Sequence, residues 1–441
     1  MTHSRWRIFR VAGGLLLVLL LLKCFLRFKK DVQGTETGYA QRQTKSHTDT
    51  TIPNTTGCPE LQGIHDIMVV LKTGATEALE KVPVHCNTTL KCIPNFIIFS
   101  DFEETISGTQ IHDVLRSVDE NIKQTTTEFD LYNRLRESGR SELTAEDFND
   151  DPSTPSGKPD NRGWLLDKWK FLPMIDETLH ARADARWYVF IEADTYVVWP
   201  NLLAWLEKFD PSQPYYMGSG VQIVNSVFGH GGSGLVLSHA AAHKVSAYRA
   251  ARIKEYDDFT AKQWAGDYVL GKALNDAGIG LFFSNPMLQG DTPWTFPYYG
   301  PNMIDHWCTP VITYHHMTPN DIRQTWAFEQ SWWLDTHADT LLHGDVFKGF
   351  IRPQVEQMEN WDNASSDKNN KGIRSWQDCQ AQCEKDYQCH QFSYEPFRCL
   401  TSEVARRGSR KLGISSGWML ARINRTIDSV GSCQKINWIV P

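Results

Sequence analysis

Two carboxylates, Glu192 and Asp194, stand two positions apart in the stretch IEADTYVV, residues 191–198, directly after the apolar run Trp187–Ile191. Side chains two apart in a strand point the same way. A buried carboxylate without a cation is costly, so two acids aimed at one spot suggest a bound metal ion. Such oxygens suit Mg2+ or Mn2+, which bridge protein carboxylates to nucleotide phosphates. An acidic strand end facing solvent is the plain alternative, and the E-x-D pattern alone does not decide between them.

Three further stretches bear on that choice. FGHGGSGLVLS, residues 228–238, carries Gly231, Gly232 and Gly234. Glycines allow a ligand close to the backbone and expose N–H groups to anions, although a tight turn needs them too. VITYHHMTP, residues 311–319, is an apolar run ending in His315-His316, and imidazole beside a carboxylate extends a metal-ligand set. WAGDYVLGKAL, residues 264–274, opens with Asp267, which serves either as a proton acceptor or as a first-turn charge complementing the helix dipole.

The elements that must hold these groups alternate. Residues 66–73, 95–101 and 187–191 are short apolar runs with the character of buried strands. Residues 109–122 space Ile111, Val114, Leu115 and Val118 as a helix does, and 163–179 also reads as helix. Residues 201–209 predict a helix capped by Asn201, and 266–279 predict one stopped by a glycine. This order implies an α/β fold with a mainly parallel sheet, whose ligands bind beyond the carboxyl ends of the strands. Residues 139–163 break the pattern and read as a surface loop.

The chain has 441 residues, enough for two folded units and tails. A formal net charge of −7 with no long basic run argues against nucleic acid as a partner. Val11–Leu22 is uninterrupted apolar sequence, continued to Phe28 with Lys23 and Arg27 able to snorkel. A cleaved signal peptide looks similar, but no small-x-small site follows, so residues 11–28 predict a transmembrane signal anchor behind a cytoplasmic tail, residues 1–10. Sequons at Asn54, Asn87, Asn363 and Asn424 all follow the anchor and favour a lumenal or extracellular body. Residues 29–57 are polar and threonine-rich, the composition of a disordered stem. Nine of ten cysteines follow the anchor, and Cys379, Cys383, Cys389 and Cys399 cluster, which favours disulfides in an oxidising compartment over zinc. One of Cys58, Cys86, Cys92, Cys308 and Cys433 is left over.

In order and spacing, WYVFIEADTYVVWPNLLAWL, GHGGSGLVLS, WAGDYVLGKAL and VITYHH resemble the Fringe and core 1 β1,3-galactosyltransferase family. That resemblance implies a GT-A fold over residues 58–351 of a type II membrane enzyme, lumenal in the Golgi or the ER. It implies transfer from a UDP-sugar donor to a hydroxyl of a glycan or glycoprotein acceptor, with inversion and a β1,3 linkage, dependent on Mn2+ or another divalent cation. Carried over by motif, Asp194 and His315 hold the metal, with His316 the alternative. Gly231 and Gly232 lie beside the sugar nucleotide, Asp267 is the base, Asp101 is near the nucleoside, and Lys168 and Lys170 approach the donor phosphates. Glu192 stands where the family has an aspartate and Ala193 where it has a second acid, so the alternative is a catalytically degenerate glycan-binding protein. A glycoside hydrolase with paired carboxylates explains neither the glycines nor the histidines. DTPWTFPYYGP, residues 291–301, is read as bordering the acceptor. SWQDCQAQCEKDYQCHQFSYEPFRCL, residues 375–400, resembles a PAN/apple module; this implies Cys383–Cys389 and Cys379–Cys399 pairs in a small domain over residues 352–441.

Overall fold

The computed structural model describes Cys58 and residues 61–148, 161–299 and 304–441. The expected anchor and stem lie outside the described residues, and among those described no helix is long and apolar enough to cross a membrane. In chain order the strands up to the histidine pair are β1 (Ile67–Lys72), β2 (Phe96–Ser100), β3 (Glu104–Ile106), β4 (Thr109–Asp113), β5 (Trp187–Glu192), β6 (Tyr196–Val197), β7 (Tyr216–Gly218), β8 (Gly220–Ile223), β9 (Ser226–Gly229), β10 (Leu235–Ser238), β11 (Leu281–Phe283) and β12 (Thr313–Tyr314). Eight of them form one sheet in the order β11-β7-β10-β5-β1-β2-β4-β3. Four neighbouring pairs are parallel and three antiparallel, because β10 runs against both β5 and β7, and β3 against β4.

β1 and β5 are apolar up to their last residue because both of their faces are covered. Tyr188 and Phe190 join one core with Leu172, Val269 and Leu270, while Trp187, Val189 and Ile191 join another with Val82, Leu202 and Trp205. Helices Phe171–Ala181 and Gly266–Asp276 cover the first face, and Ala75–Asn87 and Trp199–Leu206 the second.

Three expected helices differ in detail. Residues 109–122 are not one helix: β4 is followed by a 3-10 turn, Val114–Ser117, and a short helix, Glu120–Thr125. Ser107 and Gly108 both take positive φ, +50° and +81°, closing a two-residue hairpin that pairs Ile106 with Thr109. The stretch 163–179 is two helices, Arg162–Asp167 and Phe171–Ala181. The helix expected at Asn201 begins at Trp199, and Asn201 is buried within it rather than capping it. Its amide donates to the carbonyls of Val311 and Leu341 at 2.6 and 2.7 Å and accepts from the Leu341 N–H at 3.1 Å. Asn201 thereby fastens the segment leading into β12.

The C-terminal part adds β13 (Met358–Asp362), β14 (Lys368–Asn370), β15 (Gln391–Glu395), β16 (Arg398–Ser402) and β17 (Ser409–Trp418), a sheet ordered β13-β17-β15-β16-β14. Helix Trp376–Lys385 lies against it, with disulfides Cys379–Cys399 and Cys383–Cys389. Cys58 pairs with Cys92 and Cys308 with Cys433, leaving Cys86 as the free cysteine among the described residues. A continuous core runs across residue 352: Trp294, Tyr299 and Trp307 pack with Ala405, Trp418 and Ile423. The chain end returns to the first sheet, where Trp205 donates to the Ile439 carbonyl at 2.7 Å. One sequon reading is corrected here: Asn363 is fully buried and donates to the Phe392 carbonyl at 3.0 Å, so no glycan fits on it in the folded chain. Asn87 and Asn424 are exposed.

Candidate functional site

β1, β2 and β5 are parallel neighbours, so their carboxyl ends share one edge, and each ends in a polar residue. The register sets Lys72 opposite Glu192, and their charged groups meet at 3.1 Å. Lys72 also binds Asp167 and lies 4.6 Å from the centre of the Phe171 ring. Lys170 lies 3.0 Å from Asp101 and 3.6 Å from Asp167, and donates to the Thr73 carbonyl at 2.9 Å. The other Asp101 oxygen accepts from the Ala75 N–H at 2.7 Å. Burial alone would push both lysines down, but the carboxylates around them hold both above their ordinary range. Burial favours neutral Asp167 in turn, yet Lys72 and Lys170 keep it below the usual carboxylate range.

Lys72 and Asp167 escape a reading of sequence, because a lysine closing an apolar run looks like an ordinary solvent boundary. The D-x-x-K spacing of Asp167 and Lys170 is the signal that was there to find. Lys168 is a correction in the other direction. Its buried ammonium is held by Glu128 at 2.7 Å and by the carbonyls of Gln263 and Ala261 at 2.8 and 3.4 Å, so it braces the scaffold and offers nothing free to a phosphate.

The two acids of the E-x-D stretch part company. β5 ends at Glu192, and a turn closed by Thr195 N–H on the Glu192 carbonyl, 2.9 Å, carries Asp194 elsewhere. Glu192 therefore takes Lys72, whereas Asp194 takes the histidines. The cause is the two-residue pairing of β6 with β12, in which Tyr196 faces Tyr314. That register brings the residues after β12 back to those before β6. The Met317 N–H donates to the Asp194 carbonyl at 2.9 Å, and Nε2 of His315 lies 3.2 Å from the Asp194 carboxylate. Asp194, His315 and His316 each present a ligand atom within 4.8 Å of the others. Burial would raise Asp194, but the charge and hydrogen bond of His315 hold it far below its usual range. Burial likewise favours neutral His315, and Asp194 outweighs it and raises the ring.

This donor set fits a divalent cation. A carboxylate and imidazoles converge, and the buried Nδ1 of His315 has no hydrogen-bond partner among the described residues. His85 supports the same turn from behind. Burial pushes it down to about 4, so it is neutral, with Nε2 donating to the Ala193 carbonyl at 2.8 Å and Nδ1 facing Thr89 at 2.5 Å.

The glycine stretch closes the site. A β-carbon on Gly231 would lie 2.8 Å from the Glu192 carboxylate, and one on Gly232 would lie 2.1 Å from Nε2 of His315. Thr195 and Thr313 fix the stretch by donating to the carbonyls of Gly232 and Ser233 at 2.8 and 2.7 Å. Gly232→Ala should therefore drive the imidazole off Asp194 and weaken Mn2+ affinity roughly tenfold or more. Calorimetric titration of the purified protein with Mn2+ in the presence of UDP measures this; an unchanged affinity would mean that His315 is not a ligand.

Asp267 opens helix Gly266–Asp276 and reaches back to the same glycines: the Gly231 N–H donates to it at 3.0 Å and its own helix N–H, at Tyr268, at 2.8 Å. Burial first, then the Glu192 charge, push this carboxyl up to about 6 against the pull of those two N–H groups. Of the residues expected from the sequence, Asp101, Lys170, Glu192, Asp194, Gly231, Gly232, Asp267 and His315 gather on one edge of the sheet, whereas Lys168 does not present itself there.

Comparison with protein families matches residues 63–287 to the family described as Fringe-like. The matched span runs from β1 through the acidic turn, the glycine stretch and Asp267, and ends before the histidine pair. With just over half of its length matched, the chain belongs to the Fringe-like family.

Proposed function

We propose that this glycosyltransferase moves a sugar from a UDP-sugar to a glycan or glycoprotein hydroxyl, with inversion and a β1,3 linkage, and depends on Mn2+. The observation that carries this reading is the single backbone stretch Gly231–Gly232, which touches Asp267, Glu192 and His315 at once. A divalent cation held by Asp194 and His315, with His316 the alternative ligand, would neutralise the charge that develops on a departing diphosphate. The protein's own part is proton transfer and orientation. Asp267, with a pKa of about 6, is mostly ionised at neutral pH and accepts the proton of the attacking acceptor hydroxyl. The Gly231 N–H fixes the orientation of that carboxylate. Attack from the face opposite the diphosphate is one displacement, which inverts the anomeric carbon. Lys170 holds Asp101, which would lie near the nucleoside, and Lys72 neutralises Glu192.

The four disulfides and the apolar N-terminal run support an anchored enzyme in the lumen of the Golgi or ER. The C-terminal helix-on-sheet unit with its two staples supports the apple-like reading of residues 352–441, a module that would help to position acceptors.

The test is a panel of UDP-sugars incubated with the purified lumenal part, with and without Mn2+, followed by acceptor profiling with the preferred donor. Metal-dependent UDP release from at least one donor is expected. A second reading, a glycan-binding protein that no longer turns over, is favoured by the Glu192–Lys72 pairing, which takes the first acid of the motif away from the metal. Absence of release from every donor, with and without acceptor mixtures, would establish that reading instead.

A further inference from the structure

Three residues before Asp267, the indole of Trp264 stands 51% exposed. It is not isolated: its ring lies 6.1 Å from that of Trp164, with 26° between the planes. Neither ring joins the hydrophobic cores among the described residues. An indole pair left half in water at this position calls for a reason, since burying such a ring is among the larger gains available to a fold.

The surroundings tie the pair to the reactive edge. Lys168 donates to the carbonyls of Ala261 and Gln263, which pins the loop carrying Trp264 to the segment carrying Trp164. Gly266 packs so closely on that segment that a β-carbon there would lie 2.3 Å from the Phe171 ring and 2.7 Å from the Lys168 Cα. Phe171 in turn borders Gly231. The indole pair and the carboxylate of Asp267 are therefore held by the same two braced segments, and the pair cannot drift independently of the base.

We infer that Trp264, backed by Trp164, is a stacking platform for the acceptor sugar. This rests on the glycosyltransferase reading above. A β-linked pyranose such as galactose or glucose carries its axial C–H groups on one face, and that face matches a flat apolar ring with a polar edge. A serine or threonine side chain offers no such face. Trp264 precedes Asp267 by three residues on one braced segment, so a sugar stacked there would be held by the segment that carries the group removing its hydroxyl proton. Trp264 thus governs the choice and hold of acceptor, and leaves donor binding untouched.

The experiment uses the purified lumenal part, wild type and Trp264→Ala, Trp264→Phe and Trp164→Ala. Saturation-transfer NMR with methyl β-galactoside and methyl β-glucoside, needing no turnover, should show the strongest transfer at the axial C–H protons of at least one probe. Trp264→Ala should abolish that transfer and Trp264→Phe should retain most of it. In steady-state assays with the preferred donor, Trp264→Ala should raise the saccharide acceptor KM about tenfold, Trp164→Ala by less, and leave acceptor-independent UDP release unchanged. Saturation transfer that is absent from both probes in the wild type, or unaffected by Trp264→Ala, would overturn the inference. So would a sugar-free peptide serving as the better acceptor. Equal loss of donor hydrolysis would make the pair a structural brace. A wild type that stacks saccharides yet releases no UDP would refute the enzymatic reading and leave the platform standing.

Discussion

Asp267→Asn should abolish transfer, lowering kcat by about a hundredfold to ten-thousandfold, while leaving the affinity for UDP and metal within about twofold of wild type. The side chain keeps its size, and its remaining oxygen can still accept from the Gly231 N–H, now made at 3.0 Å. What disappears is the capacity to take a proton, together with the acceptor for the Tyr268 N–H. The wild-type kcat/KM should rise with pH through about 6 and then level, because burial and Glu192 raise the carboxyl of the free enzyme to that value and only its ionised form acts. In the variant that acid limb should be absent. The sign for stability is opposite. A carboxyl raised in the folded state favours folding below its unfolded pKa, and that advantage is lost as pH rises through about 6. At pH 7.5 the amide relieves a buried charge but leaves the Tyr268 N–H without its acceptor, so the two effects oppose and the thermal midpoint should change little. Parallel loss of UDP binding and transfer would reduce Asp267 to a helix-start charge.

Asp194→Ala is the second large effect. The carboxylate faces His315 at 3.2 Å and Lys81 at 3.7 Å, and its removal leaves a buried imidazole without its partner. Metal-dependent UDP binding should fall by at least about a hundredfold, measured by titrating Mn2+ against UDP. Binding of UDP without metal should change little, since Lys72, Lys170 and Asp101 keep their own network. Full activity in this variant would remove Asp194 from the ligand set.

Legibility in the sequence followed burial. β1, β2 and β5 are readable because strands covered on both faces must be apolar without interruption. The helix read over 109–122 failed because Ile111, Val114, Leu115 and Val118 happen to recur at helical spacing, while the Ser107-Gly108 turn that makes a hairpin is only two residues long. Within the site, the glycine stretch and Asp267 were visible as motifs, and the resemblance supplied their roles. That Asp194 meets His315 depends on β6 and β12, strands of two residues each, too short to leave a periodic trace. The parting of Glu192 from Asp194 is equally local: strand alternation holds up to Glu192, and a turn follows. Asn363 carries a different lesson, since a sequon describes acceptor chemistry, and burial in the fold takes the site away.

The proposed chemistry requires Asp194 and the imidazole of His315 to grip one ion. Anomalous diffraction from crystals of residues 58–441 grown with Mn2+ and UDP tests it directly. A manganese peak roughly 2.0–2.3 Å from both a carboxylate oxygen of Asp194 and a nitrogen of His315, with the diphosphate completing the shell, is the predicted result. UDP bound with no peak at that pair, Asp194 and His315 still facing each other, would contradict it.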